Sequence, residues 1–284
     1  METILQGLML GGLYALFALG LSLMFGVMRL TNTAHGDFIV LGAFGTLAGV
    51  AFGLSPWLAL PVTLVVAWVV GYGLQRWVLN GTLGRDPMPS LVVTFGLSIV
   101  TQNLLLELFS ADPRSLEIGE FSTQSWSLAP NMAVGVLPMV IFALAVLATA
   151  GLQWLFDHTP IGRSFRAVSD DREIAELMGL NANRVYALAT ALAFVLMALA
   201  GTLQAMRTTV APSDGPLLLL FAFEAVIIGG MGSFWGTFAG ALLLGLTQQV
   251  GFRFDPGWGI WCGHFVFLAV LVLRPQGLFP KTRG

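Results

Sequence analysis

The chain has 284 residues, of which 56% are hydrophobic and only 10% charged, with a formal net charge of -2. A mean hydropathy of +0.83 excludes an ordinary soluble surface, and no basic run of the kind that grips nucleic acid appears in the sequence. Its single cysteine, Cys262, excludes an intrachain disulfide and reads as a small buried apolar residue.

A hydrocarbon core of about 30 Å takes about 20 apolar helical residues to cross. Lipid cannot hydrogen-bond exposed backbone, so spanning elements are helices or a closed barrel, and runs such as 137–154 lack strand alternation. The sequence therefore predicts an all-α polytopic membrane protein, a single domain over residues 1–284. In chain order the apolar spans fall at 5–28, 38–52, 57–79, 91–109, 134–156, 185–206 and 259–273. The N-terminal Met1-Glu2-Thr3 is not basic and no clean cleavage site follows, so the first run is expected to be a retained span. The stretch 217–251 is interrupted by Gly229-Gly230-Met231-Gly232-Ser233 and reads as a broken or re-entrant pair. That gives about eight to nine transmembrane helices.

Charge asymmetry orients them. If 217–251 enters and returns, Arg29, Arg76, Arg85, Arg163, Arg166, Arg172, Arg184, Arg274, Lys281 and Arg283 share the cytoplasmic side, and only Arg114, Arg207 and Arg253 lie outside. A single crossing would put the basic tail and the basic 163–184 segment on opposite faces. The expectation is an outside N-terminus and a cytoplasmic C-terminus. Four-residue spacings at Gly45, Gly49 and Gly53, at Gly7 and Gly11, and at Gly236 and Gly240 mark grooves where helices pack closely.

The longest strongly charged stretch, 157–184, lies on the expected cytoplasmic side. Asp170 is placed to cap a helix of about eight residues with Glu173 completing a capping box, and Gly179 to end it in the left-handed conformation. Ile174, Leu177 and Met178 share one face while Arg172, Glu173 and Glu176 surround it. Periodicity alone fits a docking element and a plain solvated helix equally.

A resemblance separates these readings. Gly162-Arg163-Ser164-Phe165-Arg166-Ala167-Val168, followed by 171–179, is similar to the cytoplasmic coupling segment in permeases of high-affinity branched-chain amino-acid ABC transporters. Segments 11–16, 32–38, 229–233 and 274–279 resemble that family's segments in the same order, over nearly the whole chain. The chain departs from the older importer consensus in lacking an Ile-x-Leu-Pro tail after Gly179. The resemblance implies a cytoplasmic coupling helix in which Arg163, Arg166, Asp170, Arg172, Glu173, Leu177 and Gly179 meet an ATPase subunit. It further implies a homologous second permease subunit, two cytoplasmic ATP-binding subunits, a periplasmic substrate-binding protein, and a bacterial inner membrane surrounding the chain.

Polar groups inside the apolar runs are the pathway candidates. In Asn32-Thr33-Ala34-His35-Gly36-Asp37, opening the second span near the cytoplasmic face, Asn32 or Thr33 reads as a helix cap and Asp37 as a partner of the helix dipole. His35 and Asp37 read also as groups beside a translocation path, and both readings hold at once, since a cap on a pore-lining helix is still in the pore. Glu224 is the charge deepest in an apolar run, with His264 and Arg207 as possible partners, while Glu107 near a span end reaches interfacial water. The interruption at Gly229, Gly230 and Gly232 reads either as helix ends lining a cavity suited to a zwitterionic amino acid or as a tight turn.

Other function classes find little support. No His-Glu-x-x-His or Gly-x-Ser-x-Gly pattern occurs, which argues against an intramembrane enzyme, and His35, His158 and His264 lie in separate segments. Lys281-Thr282 imitates only the end of a Walker A motif, so ATP would be bound by partner subunits and no cofactor by this chain. An ion-coupled secondary transporter would need a repeat with matching charges, and none is obvious in the sequence. The sequence thus points to a permease subunit for branched-chain or other small neutral amino acids, with urea, amides or aromatic acids as alternatives within the family.

Overall fold

The computed structural model describes residues 2–84, 86–122, 124–129 and 132–279. Arg85, Lys281 and Arg283 of the charge argument, and Thr282 of the Walker A comparison, lie outside the described residues. The long helices are α1 (Glu2–Met28), α2 (His35–Ala51), α3 (Pro56–Trp77), α4 (Met88–Phe109), α5 (Val136–His158), α8 (Ala182–Arg207), α9 (Gly215–Gly229), α10 (Phe234–Phe254) and α11 (Trp258–Leu273). Two shorter ones, α6 (Pro160–Asp170) and α7 (Arg172–Leu177), fill the charged segment between α5 and α8.

Six helical stretches are long and apolar enough to cross a membrane, those at Glu2–Met28, Pro56–Gly81, Met88–Phe109, Val136–His158, Ala182–Arg207 and Pro212–Gly229. The helices α2 and α11 are apolar but shorter. The all-α expectation holds for the bundle, and one small strand pair is added to it. Strands β1 (Ser125–Ala129) and β2 (Met132–Gly135) pair antiparallel, so Val134 and Gly135 belong to this pair and not to the fifth span.

The core is built on α1 and α8, each 78% buried along its apolar window, whereas the corresponding windows of α3, α4 and α5 are mostly exposed. Lipid offers no hydrophobic drive to helix association, so these central helices are held by close packing of small residues. Gly7 and Gly11 of α1 face Leu246 and Leu242 of α10, Gly42 of α2 faces Ala198 of α8, and Gly229 of α9 faces Gly236 of α10. Gly45 and Gly49 face Thr63 and Ala59 of α3 as the spacing predicts, while Gly53 leaves that seam and turns the chain at φ 93°. Hydroxyls tie α2, α3 and α8 together, with Thr46 Oγ1 at 2.7 Å from Thr202 Oγ1 and 3.2 Å from Thr63 Oγ1.

The packing shows an internal repeat that the sequence does not display. A long buried helix, an extended link, a short helix and two further helices occur first as α1 to α4 and again as α8 to α11. The partners exchange accordingly: α1 packs on α10 as α8 packs on α3, and α9 packs on α1 as α2 packs on α8. The central helices approach where Gly20 of α1 faces the Ala193 carbonyl of α8.

Basic residues gather at one end of this bundle. Ser169 of α6 donates to the Gly26 carbonyl of α1 at 2.7 Å, Asn80 Nδ2 donates to the Asn183 carbonyl at 3.3 Å, and Leu278 and Phe279 donate to the Ile228 and Gly229 carbonyls. Those contacts put Arg29, Arg76, Arg163, Arg166, Arg172, Arg184 and Arg274 together. Arg114, Arg207 and Arg253 lie at the opposite end, where Arg253 donates to Thr3 Oγ1 and Arg114 pairs with Val210. The stretch 217–251 therefore enters and returns, as the charge argument requires.

Candidate functional site

Two short helices begin deep inside the bundle. Arg29 takes φ 52° after α1 and residues 30–34 run back inward, so that His35 Nε2 lies 2.7 Å from the Phe17 carbonyl, near the middle of α1. The segment 32–37 therefore opens α2 at mid-depth and not near the cytoplasmic face. Neither Asn32 nor Thr33 caps this helix, since Ala34 holds the N-cap position without a side-chain bond. Asn32 Oδ1 instead accepts from the Ala34 amide at 3.0 Å, and the Thr33 hydroxyl lies 2.9 Å from that of Thr94 on α4. Asn32, His35 and Asp37 are all fully buried, at 1% exposure or less.

The second inward start is α9. A short 3-10 turn at Pro212–Asp214 leads into Gly215, and a Cβ at Gly215 would meet Asp37 Oδ1, while one at Gly36 would meet the Gly215 carbonyl. The positive ends of α2 and α9 thus converge around the Asp37 carboxylate, a favourable place for a negative charge. Gln102 Nε2 of α4 donates to Asp37 Oδ1 at 2.8 Å.

A second buried carboxylate lies on α9, the helix that corresponds to α2, but in its middle and not at its start. Glu224 of α9 is 1% exposed and its Oε1 lies 2.5 Å from His264 Nδ1 of α11. Arg207, the other candidate partner, forms no ion pair with it among the described residues. Asp37 with Gln102 joins α2 to α4, and Glu224 with His264 joins α9 to α11. The sequence named both carboxylates but not Gln102 or this correspondence. A polar residue in the apolar run 91–109 was the available signal. Beside Glu224, the Tyr14 hydroxyl donates to Gln248 Oε1 at 2.6 Å, and Tyr14 stacks on Phe221 at 4.8 Å.

Gly229, Gly230 and Gly232 have a different place. Gly229 ends α9, Gly230 and Gly232 take φ 106° and 82°, and Gly232 approaches Gly26 at the basic end of the bundle. They form the tight turn, with the mid-depth helix starts supplied by Gly36 and Gly215 instead.

The charged segment folds as two helices where the sequence predicted one. Thr159 caps α6, its Oγ1 accepting from the Gly162 amide at 3.1 Å, and Pro160 follows at the first helical position. Phe165 and Val168 bury one face of α6, with Phe165 against Phe156 at 5.4 Å. Asp170 ends this helix and does not cap the next. That role belongs to Asp171, whose Oδ1 accepts from the Ile174 amide at 3.0 Å, and α7 has six residues with Ile174, not Glu173, at the capping-box position. Gly179 takes the left-handed φ of 88° as expected, with the Leu180 amide bonded to the Ala175 carbonyl.

Replacing Asp171 with Ala is expected to cost α7 about 1 kcal/mol, whereas Asp170 to Ala leaves it unchanged. Amide exchange over residues 172–177 reads the difference, and equal protection in both variants would contradict the assignment.

Ala175 buries α7 against the bundle while Ile174, Leu177 and Met178 are 59%, 86% and 81% exposed. Glu173 is exposed beside them, and Arg163 is exposed on α6. Arg172 pairs with Glu176 at 3.0 Å over the Tyr186 ring, and Arg166 pairs with Asp157 at 3.3 Å. The result is a small apolar prominence ringed by charge, held by a well-anchored α6.

The sequence pattern of the family described as branched-chain amino acid transport system, permease component, matches residues 3–274. The LivH permease protein of the high-affinity branched-chain amino acid transport system of Escherichia coli strain K12 is 26% identical, covering 99% of this chain and 96% of that protein. The LivM permease protein of the same system and strain is 28% identical, covering 95% of this chain and 68% of that protein. Among solved structures, PsaBC from Streptococcus pneumoniae in complex with Fab aligns over 97% of this chain and 93% of that chain, with a TM-score of 0.53 and 12% identity, a likeness of fold.

Proposed function

The chain belongs to the family of permease components of branched-chain amino acid transport systems, and we propose from that premise that it passes branched-chain or other small neutral amino acids across a bacterial inner membrane. It is a transport component and not an enzyme. Nine helices, α1 to α5 and α8 to α11, form the transmembrane domain. The N-terminus is outside and the C-terminus cytoplasmic, a reading supported by the seven described arginines gathered at one end against three at the other.

The observation that carries this function is the exposed apolar face of α7 at the basic end. Leu177 and Met178 are almost wholly uncovered, which suits insertion into a groove of a cytoplasmic ATP-binding subunit. We assign Arg163, Arg166, Arg172, Glu173 and Leu177 to that contact, with Asp170 and Gly179 bounding α7. Two such ATPases, a homologous second permease and a periplasmic substrate-binding protein complete the assembly. Closure of the ATPases on α7 is transmitted through α6, which grips α1 at Gly26, so that one helix of the central pair is moved directly. Asn32, His35 and Asp37 at one mid-depth junction, with Glu224 beside α11, line or steady the route; Gly229, Gly230 and Gly232 form the turn that closes it at the cytoplasmic end.

Co-expression with a second permease, the ATP-binding subunits and a substrate-binding protein of such a system, followed by reconstitution in liposomes, tests this. Leucine uptake is expected only with ATP, the ATPase subunits and the binding protein present. Ion-driven uptake by this chain alone would overturn the proposal.

A further inference from the structure

Arg207 stands at the outer end of α8, half-buried, in the wall of a cavity of about 270 Å³ between α1, β2, α5 and α10. No carboxylate of the described residues lies within the 4.0 Å of an ion pair with it. A guanidinium held partly out of water without a counter-charge is costly, and its remaining donors suit an anion entering the cavity.

A chain of polar side chains lines the cavity as well. Gln249 Nε2 donates to Gln6 Oε1 at 2.6 Å, and Gln6 Nε2 donates to Glu2 Oε1 at 3.1 Å, so a hydrogen-bonded carboxylate lines the same cavity as the guanidinium. Leu5, Met9 and Pro138 add apolar surface to the lining. The volume is just below the roughly 300–1,000 Å³ of sites for drug-sized ligands, and so suits a smaller molecule.

We propose that this cavity is an outer-face binding site for a zwitterionic aliphatic amino acid, with Arg207 holding its carboxylate, Glu2 its ammonium group, and Leu5, Met9 and Pro138 its side chain. The inference rests on the transport function proposed above and adds to it a place where substrate released outside is first held by the permease itself. A planar guanidinium recognises a carboxylate in bidentate fashion, which an ammonium at the same position could not reproduce.

The assembled importer is treated with the arginine reagent phenylglyoxal, and modification at Arg207 is read by mass spectrometry. Leucine is expected to protect Arg207, and leucinamide, which lacks the carboxylate, is not. Arg207→Gln is expected to lower leucine uptake about tenfold, the loss of one charge-assisted contact, with Arg207→Lys recovering only part of it. Equal protection by leucine and leucinamide, or none by either, overturns the site. Protection by phosphatidylglycerol nanodiscs without amino acid assigns the cavity to a lipid headgroup and overturns it too. ATP-driven leucine uptake by the unmodified importer in the same vesicles separates the two levels: normal uptake with unprotected Arg207 removes this site alone, whereas absent uptake removes the transport reading beneath it.

Discussion

Changing Glu173 to Arg and Leu177 to Asp together is expected to abolish ATP-driven uptake while leaving the bundle folded. Leu177 is 86% exposed and makes almost no contribution to the chain's own core, so its loss costs the fold little. Burial in a partner groove would be worth about 2 kcal/mol for that side chain, and a carboxylate there forfeits this and adds a desolvation cost. Reversal of Glu173 places a repulsive charge at the rim of the same contact, an effect of several kcal/mol where like charges are juxtaposed. The helix itself persists, because Asp171 still caps it and Ala175 still packs. Uptake and ATP hydrolysis measured on the same reconstituted sample should separate, with hydrolysis retained and transport lost. Normal uptake by this variant would remove α7 from the coupling mechanism.

Much of this architecture was legible because a bilayer imposes a simple rule on composition. Long apolar runs with charges confined to their gaps fixed the helices to within a few residues, and charge asymmetry resolved 217–251 into a returning pair. What the sequence concealed depends on depth and on local capping. The segment 32–37 looks like any polar helix start at a membrane surface, yet the turn at Arg29 carries it back to the level of Phe17. Nothing in the residue types distinguishes a start at mid-depth from one at the interface.

The choice of cap before α7 is concealed in a similar way. Asp170 and Asp171 are adjacent, both have the right chemistry, and the choice depends on α6 extending through Asp170, an extension that Phe165 and Val168 stabilise by packing on the bundle. The strand pair Ser125–Ala129 and Met132–Gly135 is hidden in the sequence because its second strand continues directly into the apolar run of α5. The internal repeat is hidden for a different reason. The polar contacts between its corresponding helix pairs use different residues at different heights, Asp37 with Gln102 and Glu224 with His264, so helix packing is repeated without repetition of sequence.

That geometry makes Gly36 the least tolerant position at the junction of the two halves. A Cβ there would meet the Gly215 carbonyl and the Leu219 amide, both backbone, so no side chain can rotate away. Retreat of α2 in the other direction is blocked by α8, where Gly42 already faces the Ala198 backbone and Gly201 faces the Ile39 carbonyl. Overpacking of this kind costs typically 1–3 kcal/mol where neighbours can adjust, and pinning from both sides places Gly36→Ala at about the upper limit. Gly36→Val, with two more carbons, is expected to eliminate folded protein. The control is Gly96→Ala on α4, where nothing lies within 4 Å, and which should be neutral or stabilising by up to about 1 kcal/mol through helix propensity. Folded yield by size-exclusion chromatography in detergent, with Tm for each species, makes the comparison. A Gly36→Ala protein with the yield and Tm of the Gly96→Ala control would mean that α2 and α9 do not meet at this point, and the convergence of their positive ends on Asp37 would fall with it.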